Sequence, residues 1–373
     1  RISAELVNVV DGSTLWSRHY DRPFKDLFAL QDEITGAVAG ALKAQLLAVA
    51  DAASQSERPP GGDLEAYTAY LQGKFYDARS GEADARKAID AYATATRLDP
   101  LYAQAFARLS RKWTNLAAAF LSGAPAQQAY AQARANAETA LTLAPDLAAA
   151  HDARGYLLGT ADFDWTGAEA ELRRAVQLAP NDGRVKFSLA NLLATLGRSD
   201  LAVDLNRQAL ATDPINAGWY YWLAVHLVPL GRLDEAEQAI RKSIELQPGA
   251  ATWYALLAII EIQRGDADAA LAAARQEPEA GGWREIALTL ALQIGSDRPA
   301  ADAALKALVD TQADEAAYQI AQAHALRKEP DAMFEWLDRT WVNRDPGVAT
   351  LLFDPIVLRY RDDPRFAAYC RKV

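Results

Sequence analysis

The stretch that decides the fold runs from Ala217 to Ala250 and reads AGWYYWLAVHLVPLGRLDEAEQAIRKSIELQPGA. Apolar residues recur at helical spacing on both sides of Gly231, which predicts two helices joined by a turn. Pro248 is expected to end the second helix, because proline cannot continue one. Pro229 is expected to distort the last turn of the first helix. The stretch therefore predicts a helical hairpin of 34 residues.

The same spacing recurs along most of the chain. Six alanines follow one another at gaps of 45, 35, 34, 34 and 34 residues, and five prolines at gaps of 45, 35, 34 and 34. These residues are Ala88, Ala133, Ala168, Ala202, Ala236 and Ala270, and Pro100, Pro145, Pro180, Pro214 and Pro248. A small residue at such a position lets two helices cross closely. We expect the extra residues of the first gap in a turn at 121–126, and the extra residue of the second at 162–165.

Residues 64–343 resemble the tetratricopeptide repeat family, whose period is 34 residues. The resemblance implies a mostly α fold, in which antiparallel helix pairs stack into a superhelical solenoid. We expect this array over residues 64–345, with about eight helix pairs of which the last are degenerate. Residues 346–373 are expected to form a carboxyl-terminal cap.

The first fifty residues follow a different pattern. Ile2, Ala4 and Leu6 alternate with polar residues, and Asp11-Gly12 is a strong turn signal, so a β-hairpin is predicted. A helix is expected to follow from about residue 25 to residue 49. Residues 51–63 contain Ser, Pro and Gly clusters and are expected to be a linker.

Residues 10–34 resemble the end of a TolB-amino-terminal-like domain. This α/β domain precedes tetratricopeptide arrays in many bacterial signalling proteins, among them CadC-type and cyclase-linked regulators. The resemblance implies that residues 1–50 are the carboxyl-terminal part of such a domain, and that residues upstream of Arg1 are missing. It leaves open whether the protein works in the bacterial cytoplasm or the periplasm.

Composition limits the classes of function. The 373 residues carry a net charge of −10, which disfavours binding of nucleic acid through this chain. No apolar stretch has the length of a membrane span. The four histidines lie far apart, and none has a carboxylate or a second histidine at metal-ligand spacing. We therefore expect no enzyme activity, no metal and no cofactor.

The resemblance also implies where a partner would bind, because in this family the first helix of each pair lines a groove. The groove positions carried over to this sequence are Arg111, Asn115, Asp152, Tyr156, Arg184, Phe187, Asn191, Tyr221, Val225 and Ile259. This set is polar at its amino-terminal end and more apolar later, which favours an apolar helix or an extended segment as the ligand. Occupation of the groove by the chain's own ends or by a second copy is the alternative.

These patterns predict a non-enzymatic scaffold for a protein or peptide partner. We interpret it as the sensory or regulatory part of a bacterial signalling or transcription-regulating protein. Two alternatives stay open: a homo-oligomerisation module that pairs through the hairpin, giving a homodimer, and a small-ligand receptor or enzyme accessory domain.

Overall fold

The structure is a computed structural model. It describes residues 2–7, 14–21, 30–31, 33–34, 57–79, 81–279 and 282–372.

The amino-terminal hairpin consists of β1 (Ile2–Val7) and β2 (Thr14–Tyr20), which pair antiparallel. Ile2 lies opposite Tyr20, and the register becomes irregular between Leu6 and Val7. The Asp11-Gly12 turn lies outside the described residues. Of the helix expected at 25–49, only residues 30, 31, 33 and 34 are described, and they are helical. The expected hairpin is therefore present, and most of the expected helix is not described.

Sixteen α-helices in eight antiparallel pairs follow between Leu64 and Val342. The first four pairs are α1 (Leu64–Asp77) with α2 (Glu82–Leu98), α3 (Ala103–Phe120) with α4 (Gly123–Leu143), α5 (Ala148–Leu157) with α6 (Trp165–Leu178), and α7 (Gly183–Thr195) with α8 (Ser199–Thr212). The other four are α9 (Ala217–Leu227) with α10 (Leu233–Leu246), α11 (Trp253–Arg264) with α12 (Ala267–Ala274), α13 (Trp283–Gln293) with α14 (Arg298–Gln312), and α15 (Ala317–Leu326) with α16 (Pro330–Val342). The mostly α solenoid predicted from the repeat is thus the observed fold.

The residues that set the period also hold the pairs together. The six alanines of the first row are at most 1% exposed, so they lie where the helices cross. Gly197, Gly231 and Gly265 recur at the same 34-residue step and have φ of 74°, 71° and 80°. Only glycine adopts this backbone without strain, so these residues close the turn inside three successive pairs.

The two irregular gaps are accommodated differently from our expectation. The turn between α3 and α4 is only Leu121 and Ser122, and the extra residues instead lengthen these helices to 18 and 21 residues. The single extra residue of the third pair is taken up by a π-helical turn at Leu158–Asp162, which begins four residues before the expected turn. At Pro229 the α-helix gives way to a 3-10 turn, Val228–Leu230, as expected.

The carboxyl-terminal residues close the last pairs. Two 3-10 turns, Pro346–Thr350 and Val357–Tyr360, precede α17 (Pro364–Lys372). Ile356, Val357, Phe366 and Tyr369 are buried in one cluster with residues of α13 to α16. The apolar ends of the last helices are thereby covered.

Candidate functional site

The first helices of the pairs form one side of the array. Contacts between successive first helices join α3 to α5, α5 to α7, α7 to α9, α11 to α13, and α13 to α15. The second helices, all of them described, do not contact one another to a similar extent. The array therefore curves with the first helices inside, and we call the face that they share the inner surface.

The structure places all ten predicted groove residues on these first helices. Arg111 and Asn115 lie on α3, Asp152 and Tyr156 on α5, Arg184, Phe187 and Asn191 on α7, Tyr221 and Val225 on α9, and Ile259 on α11. Asp152 is buried, and the other nine are partly exposed. They divide into two groups, because the two ends of the inner surface have different neighbours.

The carboxyl half of the inner surface (α7 after its first turn, α9 and α11) is covered by the chain itself. Phe353 is 6% exposed and belongs to one apolar cluster with Leu189 and Leu193 of α7. Trp222 and Val225 of α9 pack against the same cluster. We call residues 351–360, which include Phe353, the return segment.

His226 lies behind this contact. Its ring centroid is 6.5 Å from that of Phe353, at an interplanar angle of 88°. The side chain is fully buried and neither ring nitrogen has a hydrogen-bond partner. Burial lowers the pKa of His226 to about 3, so the ring is neutral at neutral pH and packs as an apolar group.

Polar contacts fix the return segment at both ends. Arg359 Nη2 donates a hydrogen bond of 3.0 Å to Gln263 Oε1 on α11. The Asp354 carboxylate accepts bonds of 2.8 Å from Gln322 Nε2 and from the Ile356 backbone N–H. The chain's own carboxyl-terminal part thus lies on the apolar half of the surface, which is the alternative to a partner that the sequence left open.

The amino half of the inner surface (α1, α3, α5 and the first turn of α7) contains charged residues instead. Arg111 Nη1 lies 2.8 Å from Asp152 Oδ2, and its guanidinium lies over the Tyr156 ring, 4.4 Å from the centroid. Asp152 is 2% exposed, and its Oδ1 has no hydrogen-bond partner. This pair is therefore shielded from solvent and joins two neighbouring helix pairs.

Two further carboxylates are held beside α3. Lys112 pairs with Asp77 at the end of α1. Burial alone would raise the pKa of Asp77, but the charges of Lys112 and Arg184 outweigh it and lower this pKa to about 2. Asp77 is therefore ionised at neutral pH.

Glu57 lies on the other side of this group. Its carboxylate forms two ion pairs: Oε2 lies 2.6 Å from Lys74 Nζ, and Oε1 lies 3.4 Å from Arg108 Nη2. The Tyr70 hydroxyl donates a bond of 3.0 Å to Glu57 Oε1. Burial would raise the pKa of Glu57, but Lys74 and Arg108 lower it overall.

Arg184 has no such partner. In the described part of the chain, its guanidinium makes no hydrogen bond and no ion pair. It does interact electrostatically with Arg108, Arg111, Asp77 and Asp152. The positive charge of Arg108, followed by burial, lowers the pKa of Arg184. We call the eight residues of this half the basic cluster: Lys74, Arg108, Arg111, Lys112, Arg184, Glu57, Asp77 and Asp152.

Sequence reasoning found only three members of this cluster, namely Arg111, Asp152 and Arg184. Arg108 lies three residues before Arg111 and four before Lys112 on α3, which is helical spacing, and this was a usable signal. Asp77 and Glu57 carried no such signal, because a helix end and a preceding loop meet α3 only in the folded chain.

The described residues contain no group of three or more His, Cys, Asp or Glu side chains that could hold a metal ion. None of the described helices is long and apolar enough to cross a membrane.

Comparisons with known proteins agree with the architecture. The tetratricopeptide repeat family model matches residues 161–217, 187–251 and 221–282. The solved structure of the APC/C hetero-tetramer Cut9–Hcn1 is similar with a TM-score of 0.57 at 14% identity, over 78% of this chain and 56% of that one. Yeast Tom70 is similar over 94% of this chain and 78% of its own, with a TM-score of 0.48 and 16% identity.

One curated protein matches a short stretch. Putative adenylate cyclase 3 of Rhizobium meliloti (strain 1021) is 42% identical over 48 residues, which are 13% of this chain and only 8% of that protein. Tetratricopeptide repeat proteins are generally scaffolds that bind protein or peptide partners, and the fold is typically non-enzymatic. The family model thus identifies residues 161–282 as tetratricopeptide repeats, and paired helices of the same kind continue on both sides of them.

Proposed function

We propose that this chain is a non-enzymatic scaffold that binds a protein segment on the amino half of its inner surface. It serves as the sensory or regulatory part of a bacterial signalling or transcription-regulating protein. The observation that carries the binding role is the difference between the two halves. The carboxyl half already holds the return segment, whereas among the described residues the amino half presents Arg184 without an ion-pair partner.

The return segment supports a peptide ligand in particular. It packs one aromatic side chain, Phe353, against α7 and α9 and donates one hydrogen bond to α11. Helical grooves usually bind peptides in this way, through apolar anchor side chains on a short stretch of polypeptide and a few polar contacts. We therefore expect the partner of the amino half to be a polypeptide segment as well.

The regulatory role rests on two likenesses. Residues 10–34 resemble the end of a TolB-amino-terminal-like domain, and a 48-residue stretch is similar to a putative adenylate cyclase. Sequencing the gene on both sides of this chain tests the role. A winged-helix or nucleotide cyclase domain encoded in the same reading frame would support it, and an isolated repeat array would contradict it.

A peptide selection tests the binding role. The protein is immobilised and a phage library of random dodecapeptides is passed over it. We expect enriched peptides whose binding is lost in the double variant Asn115→Ala, Tyr156→Ala, since both side chains line the amino half. Circular dichroism must show unchanged helicity in that variant. The control is Phe120→Ala, because Phe120 is 44% exposed. Failure to enrich any peptide would refute the binding role.

The hairpin supports a second candidate, a homodimer. In the described residues β1 and β2 form a sheet of only two strands, and such a sheet exposes an unpaired edge on each side. A second copy could pair with one of these edges. Sedimentation equilibrium at high concentration tests it: a dimer that Ser17→Pro dissociates supports pairing at β2, whereas a monomer rules the candidate out.

A further inference from the structure

The carboxyl-terminal end of the array touches the third and fourth helix pairs, which lie far away in sequence. The ring of Phe163, just before α6, has its centroid 5.9 Å from that of Trp341 on α16. Arg344 Cζ lies 5.7 Å from the centroid of the Phe163 ring. Leu352 packs against the turn of the fourth pair, where a Cβ built on Gly197 would lie 3.5 Å from Leu352 Cβ. We call this set of contacts the clasp, formed by Phe163, Gly197, Trp341, Arg344, Leu352 and Phe353.

The clasp closes helix pairs three to eight into a loop. The helices α6 to α16 lie between Phe163 and Trp341 in the chain, and the two rings meet again at the clasp. On the inner side of this loop, Phe353 packs against the apolar cluster of α7, which Trp222 of α9 also contacts. The contact that closes the loop therefore also covers the carboxyl half of the inner surface.

The tip of the clasp (residues 346–353) is held at both ends on α15. Asp345 Oδ2 accepts a hydrogen bond of 3.2 Å from the Tyr318 backbone N–H. At the other end, Asp354 Oδ2 accepts a bond of 2.8 Å from Gln322 Nε2. The residues that follow this second anchor belong to the apolar cluster of α13 to α16. The tip can therefore leave α7 while the rest of the cap stays folded.

The closed clasp has several costs in free energy. Phe163 has φ of 54° and Arg344 has φ of 52°, a left-handed backbone that is unfavourable without glycine. The described residues include four such non-glycine positions, and two of them meet in this one contact. Phe353 helps to cover His226, although neither nitrogen of that ring has a hydrogen-bond partner. Strain of this kind collects at segments that change conformation, which is what opening of the clasp requires.

We infer that the clasp is a releasable autoinhibitory contact, in which the tip occupies the site of an extended partner segment with two adjacent apolar side chains. The contacts of the tip show which chemistry the site accepts. Leu352 packs on the turn at Gly197, and Phe353 packs on apolar side chains of α7 and α9. A partner segment with leucine next to phenylalanine would replace them. This inference goes beyond the proposed function, because it concerns the carboxyl half and does not depend on binding at the amino half.

A distance measurement across the clasp tests its release. Donor and acceptor dyes are attached at Thr166→Cys on α6 and Glu335→Cys on α16, two exposed positions, and Cys370→Ser removes the one native thiol. Energy transfer and circular dichroism are then followed in urea. We expect energy transfer to fall at a lower urea concentration than helicity, because the clasp opens before the helix pairs unfold. Coincident transitions would make the contact an inseparable part of the fold and overturn the inference.

The buried histidine gives a second check in the same experiment. His226→Leu removes two ring nitrogens that lack partners in the closed state, so it should move the fall of energy transfer to a higher urea concentration. A shift to a lower concentration would contradict a clasp that His226 makes easier to open.

An opening variant shows the effect without urea. Leu352→Ser, Phe353→Ser removes both apolar side chains of the tip and should lower energy transfer while helicity stays unchanged. The matched control is Leu101→Ser, Phe120→Ser, because these side chains are 61% and 44% exposed. The control should leave energy transfer unchanged. If the opening variant loses helicity, the urea comparison on the otherwise unaltered chain decides.

A peptide in solution probes the vacated site. The fluorescein-labelled peptide of residues 349–357, ATLLFDPIV, is titrated with the opening variant and with the unaltered protein. Fluorescence anisotropy should show binding to the variant that is at least about tenfold tighter, because the tethered segment of the unaltered protein competes at high effective concentration. The control peptide ATLSSDPIV should bind neither. Equal binding of the two peptides, or equal binding to the two proteins, would overturn the autoinhibitory role.

These outcomes are separate from those of the proposed function. Failure of the clasp leaves binding at the amino half untouched, because that binding is tested by the random peptide selection and by Asn115→Ala, Tyr156→Ala. Failure of that selection leaves the energy transfer across the clasp unaffected.

Discussion

The two halves of the inner surface are built from the same repeat but are satisfied in different ways. In the carboxyl half, apolar residues of α7 and α9 are covered by Phe353 of the return segment, and the buried His226 behind them is neutral. In the amino half, charged residues face one another, and Arg184 has no partner among the described residues. A repeat surface thus becomes structural where the chain itself covers it, and uncompensated charge marks the part that we propose for binding.

The largest effect is expected from uncovering the carboxyl half. Phe353→Ala removes a buried aromatic side chain and should lower the free energy of unfolding by about 4 kcal/mol. Urea denaturation measures it, with Phe120→Ala as the control, because Phe120 is 44% exposed and its loss should cost about 0.5 kcal/mol. Equal effects of the two substitutions would mean that the return segment is not part of the folded core.

The next effect concerns the paired charges of the amino half. Arg111→Met leaves the buried Asp152 carboxylate without its partner and should cost about 3 kcal/mol of unfolding free energy. Arg86→Met, which breaks an exposed pair with Glu82, should cost about 0.5 kcal/mol in the same urea experiment. If the two variants were equally stable, the Arg111–Asp152 pair would be solvated and the amino half open to water.

The pH dependence of stability should have opposite signs in the two regions. The folded pKa of Asp77 is about 2, below its ordinary value of 3.8, so Asp77 stabilises the fold above pH 3.8. This contribution, about 2 kcal/mol, is lost as the pH falls towards 2. Burial raises the pKa of Asp354 in the return segment, so Asp354 costs stability as the pH rises above 3.8.

Urea denaturation between pH 2 and pH 6 checks both signs. The advantage of the unaltered protein over Asp77→Asn should grow with pH, and its stability relative to Asp354→Asn should decline with pH. If the free energies of unfolding of the two variants changed with pH in the same way, the two halves would not differ electrostatically as described.

The smallest effect is expected at the unpaired cation. Arg184→Gln removes repulsion from Arg108 together with attraction to Asp77 and Asp152, and it breaks no ion pair, so the free energy of unfolding should stay within about 0.5 kcal/mol of the original value. Thermal and urea denaturation of the free protein measure it. A loss above about 1 kcal/mol would show that Arg184 supports the fold.

Much of the fold could be predicted, because its signals are local. The alanine row and Gly231 predicted helix pairs and their turns, and those residues lie at the crossings and turns of the structure. The extra residues near Leu121 were misplaced, since a gap in a periodic pattern does not distinguish a longer turn from longer helices. The π-helical turn at Leu158–Asp162 was missed for the same reason.

The site was predicted less completely. The resemblance to the repeat family placed Arg111, Asp152 and Arg184 on the inner surface, but it did not show that two of them pair and the third does not. Whether a charged side chain finds an ion-pair partner depends on side chains from several helix pairs, so a local sequence pattern cannot predict it. The boundaries of the predicted domains and the linker at 51–63 stay predictions.

By itself the sequence determined the class of the molecule, namely a stack of antiparallel helix pairs with a 34-residue step, because small residues and turn residues act on neighbours within one pair. Only the tertiary structure decided which part of the inner surface is covered. Curvature brings the return segment next to α7 and α9, far away in sequence, and brings Asp77 and Arg184 into one electrostatic group. Contacts between residues so far apart in sequence depend on the accumulated rotation from one helix pair to the next. This rotation cannot be read from the sequence of a single repeat.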